Sequence, residues 1–130
     1  FLPLPPQRYA EQLRERIDRH GTQVYLINTG WIGGPYGVGS RIPLKWTRAM
    51  VRAALSGELE GVEYDVDPTF RIAVPRHVPG VSAEVLQPRK TWADAGAYDR
   101  QARRLAQQFT ENFTRFADAR PELIQAGPRT

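Results

Sequence analysis

The chain has 130 residues, 41% of them hydrophobic and 25% charged, with a net charge of +4. That length suits one domain with a real core, burying roughly two-thirds of the unfolded surface. The absence of cysteine excludes disulfides and thiolate metal sites, and no apolar run approaches the ~20 residues of a membrane span.

The chain opens Phe1-Leu2-Pro3-Leu4-Pro5-Pro6 with no initiating Met, and its one methionine is Met50. We expect that polypeptide preceding Phe1 has been removed by processing or a cut, and that no signal segment is present. Tyr9, Leu13 and Ile17 then recur every four residues among charges, which predicts an amphipathic helix over residues 7–20. Pro5 and Pro6 mark its start and Gly21 its end, and Glu15 with Arg19 makes a favourable i, i+4 ion pair. Val24 to Ile27 are expected to form a buried strand, giving an α/β order.

A loop rich in glycine follows, from Gly30 to Gly39, and leads through Arg41 into a second helix. Pro43 suits the first helical position, Leu44, Thr47, Val51 and Leu55 form its stripe, and Gly57 ends it. Two alternating runs, Val62-Tyr64-Val66 and Phe70-Ile72-Val74, predict a hairpin turned at Asp67-Pro68. Residues 75–90 contain three prolines and one glycine, so we expect an irregular segment lying on the surface, either functional or docked onto another part of the protein. Thr91 and Asp94 have the spacing of a capping box. They predict a long helix carrying Tyr98, Ala102, Leu105, Phe109, Phe113 and Phe116 on one face. The tail, residues 119–130, is expected to be coil.

Few residues can carry chemistry. The run Gly34-Pro35-Tyr36-Gly37-Val38-Gly39-Ser40-Arg41 is close to a Walker A loop, but Ser40 replaces the lysine and Arg41 the metal-binding hydroxyl residue. It is therefore not the phosphate cradle of a P-loop enzyme. His20 reads as a cation at a helix C-terminus and His77 as a loop residue. Asp65 and Asp67 are spaced for a metal, yet Pro68 follows and no further ligand is near, so the turn reading is favoured. All but two of the 18 basic residues are arginine. They are scattered, have acidic neighbours and lack interleaved aromatics, which argues against nucleic-acid binding. Trp31 and Trp92 read as packing residues, one behind the glycine loop and one capping the long helix.

Arg41, Ile42 and Thr47 make a nucleoside-sized set. A guanidinium just beyond a glycine loop can lie on a purine face and donate to ribose or phosphate. Ile42 offers apolar contact and a free backbone N–H and C=O, and the Thr47 hydroxyl can reach a ring nitrogen or exocyclic amine. No general acid, base or metal ligand accompanies them.

The pattern Asn28-Thr29-Gly30-Trp31-x-Gly33-Gly34-x-Tyr36-Gly37-x-Gly39-x-Arg41 resembles the C-terminal region of ATP-dependent phosphoenolpyruvate carboxykinases. So do Lys45-x-Thr47-Arg48-Ala49, Ala73-Val74-Pro75, Pro79-Gly80-Val81 and Leu86-x-Pro88-Arg89-x-Thr91-Trp92-Ala93-Asp94. The likeness runs from Phe1 to Ala126-Gly127-Pro128. Ile32 departs from the family pattern, where a small polar residue is more frequent, and Pro43 stands where a serine often sits.

The resemblance implies an α/β fold. The chain would be the C-terminal portion of a mononucleotide-binding domain, with mixed sheet segments, flanking helices and a long amphipathic C-terminal helix. It implies that Arg41, Ile42 and Thr47 contact the adenosine part of ATP. The phosphate loop, the ligands of a divalent metal (Mg or Mn) and the oxaloacetate-binding arginines would lie in the remaining N-terminal part of the same enzyme. The implied reaction turns oxaloacetate and ATP into phosphoenolpyruvate, CO₂ and ADP in gluconeogenesis, in the cytoplasm, with no membrane or nucleic acid involved. Alone, this fragment would be inactive. The alternatives are a self-standing nucleotide-binding module and a basic interaction domain without catalysis.

Overall fold

The computed structural model describes residues 3–116 and 121–129. It is a mixed α/β structure of helices and two small antiparallel sheets, in the order α1 (Pro6–His20), β1 (Trp31–Ile32), β2 (Ser40–Arg41), α2 (Leu44–Ser56), β3 (Tyr64–Val66), β4 (Ala73–Pro75), α3 (Pro88–Thr91), α4 (Ala95–Phe113) and α5 (Pro121–Gln125).

Local signals build α1. Pro6 occupies its first turn, and Arg19 bonds Glu15 at 2.8 Å. At its end the N–H of Gly21, at φ 60°, donates to the carbonyl of Ile17 at 2.8 Å. The left-handed conformation there is the one glycine adopts without strain. The helix buries no residue, and Leu13 on its apolar face is 60% exposed.

The buried strand expected at Val24–Ile27 does not form. No ladder partner lies beside it among the described residues, because each sheet is a closed pair, β1 with β2 and β3 with β4. A strand without a neighbour leaves its backbone groups unpaired. The segment nevertheless keeps strand-like alternation: Tyr25 and Ile27 are half-buried, while Val24 and Leu26 are 62% and 86% exposed.

The core lies between α2 and the segment that follows the second hairpin. Ala53, Leu59, Val78, Val81 and Val85 are its buried residues, with Trp46, Ala49 and Met50 packed against them. The side of α2 that turns inward is therefore the alanine-rich one. The stripe named from the sequence faces out, with Leu44 at 62%, Val51 at 41% and Leu55 at 84% exposure. Small residues let the neighbouring chain come close: a Cβ added to Gly80 would lie 3.5 Å from the Ala49 Cβ.

Residues 75–90 are irregular as expected, but they do not lie merely on the surface. Successive turns, in which the N–H groups of Val81 and Val85 donate to the carbonyls of Val78 and Ser82, direct three valines into the core. This segment is docked on α2.

The β3–β4 hairpin pairs Tyr64 with Pro75 and Val66 with Ala73. Asp67 turns it, accepting the N–H groups of Thr69 and Phe70 at 2.9 and 2.6 Å. Beyond it, α4 starts at Ala95 rather than near Thr91. Asp94 is the cap and accepts the Gly96 N–H at 2.7 Å, while the hydroxyl of Thr91, the last residue of α3, donates to the carbonyl of Pro88, the first. Ala102 and Ala106 are the buried residues of α4, and Phe109 meets Phe70 of the hairpin turn edge to face at 6.4 Å. The helix ends at Phe113, so Phe116 packs on Phe113 from outside it. The tail is not wholly coil: Pro121–Gln125 is helical and Arg71 donates to the carbonyl of Gln125. Residues 117–120 lie outside the described residues.

Candidate nucleotide site

The glycine loop is the turn of a hairpin. Trp31 pairs with Arg41 and Ile32 with Ser40, and the Ile42 N–H donates to the Gly30 carbonyl at 2.9 Å. The loop is folded tightly on itself. Val38 and Gly39 both donate to the Pro35 carbonyl at 3.0 Å, and a Cβ at Gly39 would stand 2.6 Å from the carbonyl oxygens of Ile32 and Gly34. The glycines serve close backbone approach within the ribbon. Two N–H groups that could have faced an anion are spent on that turn.

Alternation along the ribbon divides its side chains. Ile32 packs against the core and Ile42 is 8% exposed, whereas Trp31 and Arg41 occupy the outward face. Tyr36 at the loop tip is 84% exposed and meets the Trp31 ring edge to face, 5.2 Å between centroids at 77°. Trp31 thus packs with the loop, and Trp92 separately with Tyr98 at 5.6 Å. The Ile42 N–H is not free, contrary to the expectation, since it closes the ribbon. Thr47 follows in the first turn of α2, half-buried, its own N–H bonded to the Pro43 carbonyl.

Of the three expected residues, Arg41 and Ile42 are adjacent on β2 and its exit, and Thr47 lies on α2. Thr47 lines an open hollow of about 610 Å³ along the outer side of that helix, together with Arg48, Val51, Arg52, Leu55 and Ser56. Arg48 and Arg52 are the two cationic side chains along it. The signal that could have drawn them in was the i, i+4 spacing of Arg48 and Arg52 beside the Thr47–Val51–Leu55 row. Lys45 sits with its Nζ 5.7 Å from the Trp46 ring centroid.

No group of three or more histidines and carboxylates able to hold a metal occurs among the described residues. Asp65, considered for such a site, instead takes two bonds from Arg76 at 2.9 and 2.7 Å, which hold its carboxyl below the ordinary range. No described helix is long and apolar enough to cross a membrane.

Comparison with known proteins gives a consistent picture. Residues 1–84 match the family model described as phosphoenolpyruvate carboxykinase. A phosphoenolpyruvate carboxykinase (ATP) 2 of Moorella thermoacetica is 59% identical over 98% of this chain and 24% of its own length. The Thermus thermophilus phosphoenolpyruvate carboxykinase (ATP) is 56% identical over 100% of this chain and 25% of its own. That of Caldanaerobacter subterraneus is 53% identical over 99% and 25%. The chain therefore spans about a quarter of the length of the curated relatives it matches.

Proposed function

Because this chain belongs to the ATP-dependent phosphoenolpyruvate carboxykinase family, we propose that it forms the adenosine-binding portion of such an enzyme. The whole polypeptide would convert oxaloacetate and ATP to phosphoenolpyruvate, CO₂ and ADP, a step of gluconeogenesis, in the cytoplasm. The chain would be the C-terminal part of the mononucleotide-binding domain, working against the remaining N-terminal part. The observation that carries this reading is the family match over residues 1–84, which takes in the whole ribbon and α2.

In this reading each residue has a limited task. Arg41 lays its planar guanidinium on the purine or donates to the ribose, as an exposed side chain with a fixed base can. Ile42 gives the edge of a buried side chain and fixes the ribbon by its N–H. Thr47 offers a hydroxyl from the helix start. The hydrogen-bonding capacity of this set orients a base and sugar but transfers no proton.

The described residues do not fit a divalent metal site. Phosphoryl transfer depends on positioning and charge neutralisation, and those groups would come from elsewhere in the enzyme. The test compares the 130-residue chain with the full-length polypeptide, assaying oxaloacetate- and ATP-dependent formation of phosphoenolpyruvate. Activity is expected only in the longer protein, with ATP preferred over GTP. Turnover by the short chain would overturn the reading. Tight ATP binding without turnover would favour the self-standing module.

A further inference from the structure

The outward face of the β1–β2 ribbon carries more than Arg41. Trp31 stands directly opposite it in the register, and residues directly opposite in an antiparallel pair project from the same face with neighbouring Cβ atoms. The indole is itself braced, since Tyr36 meets it edge to face at 5.2 Å and 77°. The loop that carries Tyr36 has little room to relax, because a Cβ at Gly39 would collide with two carbonyl oxygens. Trp31 remains 38% exposed and Tyr36 84%, so this aromatic pair is not needed to fill the core, which Ile32 and Ile42 already reach from the other face.

We infer that Trp31, held by Tyr36, is a positioning residue that restricts the guanidinium of Arg41 to the side of the ribbon where a purine is bound. An arginine stacks readily on an aromatic face, and a side chain ordered before the ligand arrives loses less freedom on binding. This rests on the reading that Arg41 meets adenosine.

The experiment uses the full-length enzyme carrying this chain, with ATP and oxaloacetate as separate variable substrates. Trp31→Ala is expected to raise the KM for ATP about three- to fivefold, the range of an exposed cation–π contact, with kcat and the KM for oxaloacetate within about twofold of the parent. Trp31→Phe should recover most of that loss, and Tyr36→Ala should reproduce part of it. In an Arg41→Ala background, Trp31→Ala should add nothing. Additive losses, or an equal rise in both KM values, overturn the positioning role while leaving the adenosine reading intact. An ATP KM unaffected by Arg41→Ala overturns both. Should Trp31→Ala fail to fold, Trp31→Phe and Tyr36→Ala carry the same comparison.

Discussion

The N–H of Ile42 is held by the carbonyl of Gly30 at 2.9 Å, and that bond sets which way Arg41 faces. With Ile42 turned into the body at 8% exposure, alternation along the strand leaves the preceding arginine on the outside. Arg41→Ala in the full-length enzyme is therefore expected to spare the fold and weaken ATP binding about tenfold or more, the loss of a charged hydrogen bond. Separate ATP and oxaloacetate titrations check it, and only the ATP affinity should change. Equal losses for both ligands would take Arg41 out of the nucleotide site.

The tight ribbon makes a second expectation. Gly39→Ala would place a methyl group 2.6 Å from the Ile32 and Gly34 carbonyl oxygens, so backbone must shift. Overpacking of that kind costs about 1–3 kcal/mol. Gly37 is different: its Cβ would meet nothing within 4 Å, but its φ is +86°. Gly37→Ala should cost only the left-handed penalty of about 1 kcal/mol. Urea unfolding of the two variants should rank them in that order, and a neutral Gly39→Ala would mean the loop is looser than described.

The start of α4 shows how near a sequence signal can be and still miss. Thr91 and Asp94 have capping-box spacing, yet it is Asp94 that caps, three residues later, while Thr91 closes the short α3. Asp94→Ala is expected to destabilise the chain by about 1 kcal/mol, the usual value of a lost N-cap. Thr91→Ala should cost less, since its hydroxyl serves one carbonyl, that of Pro88, within a four-residue helix. Thermal melts of the two variants decide between the caps.

What the sequence made legible follows the range of the interactions involved. Helix ends marked by proline and glycine, the i, i+4 ion pair of α1 and the Asp67 turn depend on residues a few positions apart. They were readable. The inward side of α2 was not, because Leu44, Val51 and Leu55 are more apolar than the alanines that face the core. That choice is made by Val78, Val81 and Val85, a distant segment that needs a close approach. The hairpin closed by Arg41 was missed for a similar reason. Two-residue strands give no periodic signal for the sequence to show.

Arg89 and Asp99 link α3 to α4 through two bonds of 2.8 and 2.9 Å. The guanidinium holds the Asp99 carboxyl below its ordinary range, and the backbone N–H groups of Ala97 and Gly96 do the same to Asp94. A carboxyl depressed in the folded state is protonated first in the unfolded one. Stability is then complete above the ordinary carboxylate pKa of about 4 and declines as pH falls through the lower folded values. The melting temperature should therefore drop on acidification below about pH 4, and Asp99→Asn should make that drop shallower. An acid limb of equal slope in the variant would remove Asp99 from this linkage.

The segment Val24–Ile27 yields the prediction that bears most directly on how the chain is used. Its alternation is that of a strand with one side against the body, Tyr25 packing on the core and Leu26 86% exposed. A strand is stabilised by a neighbour that takes its backbone bonds and covers its open side, and none is present among the described residues. If the longer polypeptide supplies that neighbour, Leu26→Asp should be nearly silent in the 130-residue chain, within about 0.5 kcal/mol as for surface changes. In the full-length enzyme the same substitution would set a charge against apolar surface and cost several-fold more. Unfolding measured on both lengths separates the cases, and a silent Leu26→Asp in the longer protein would show that this side stays open to water.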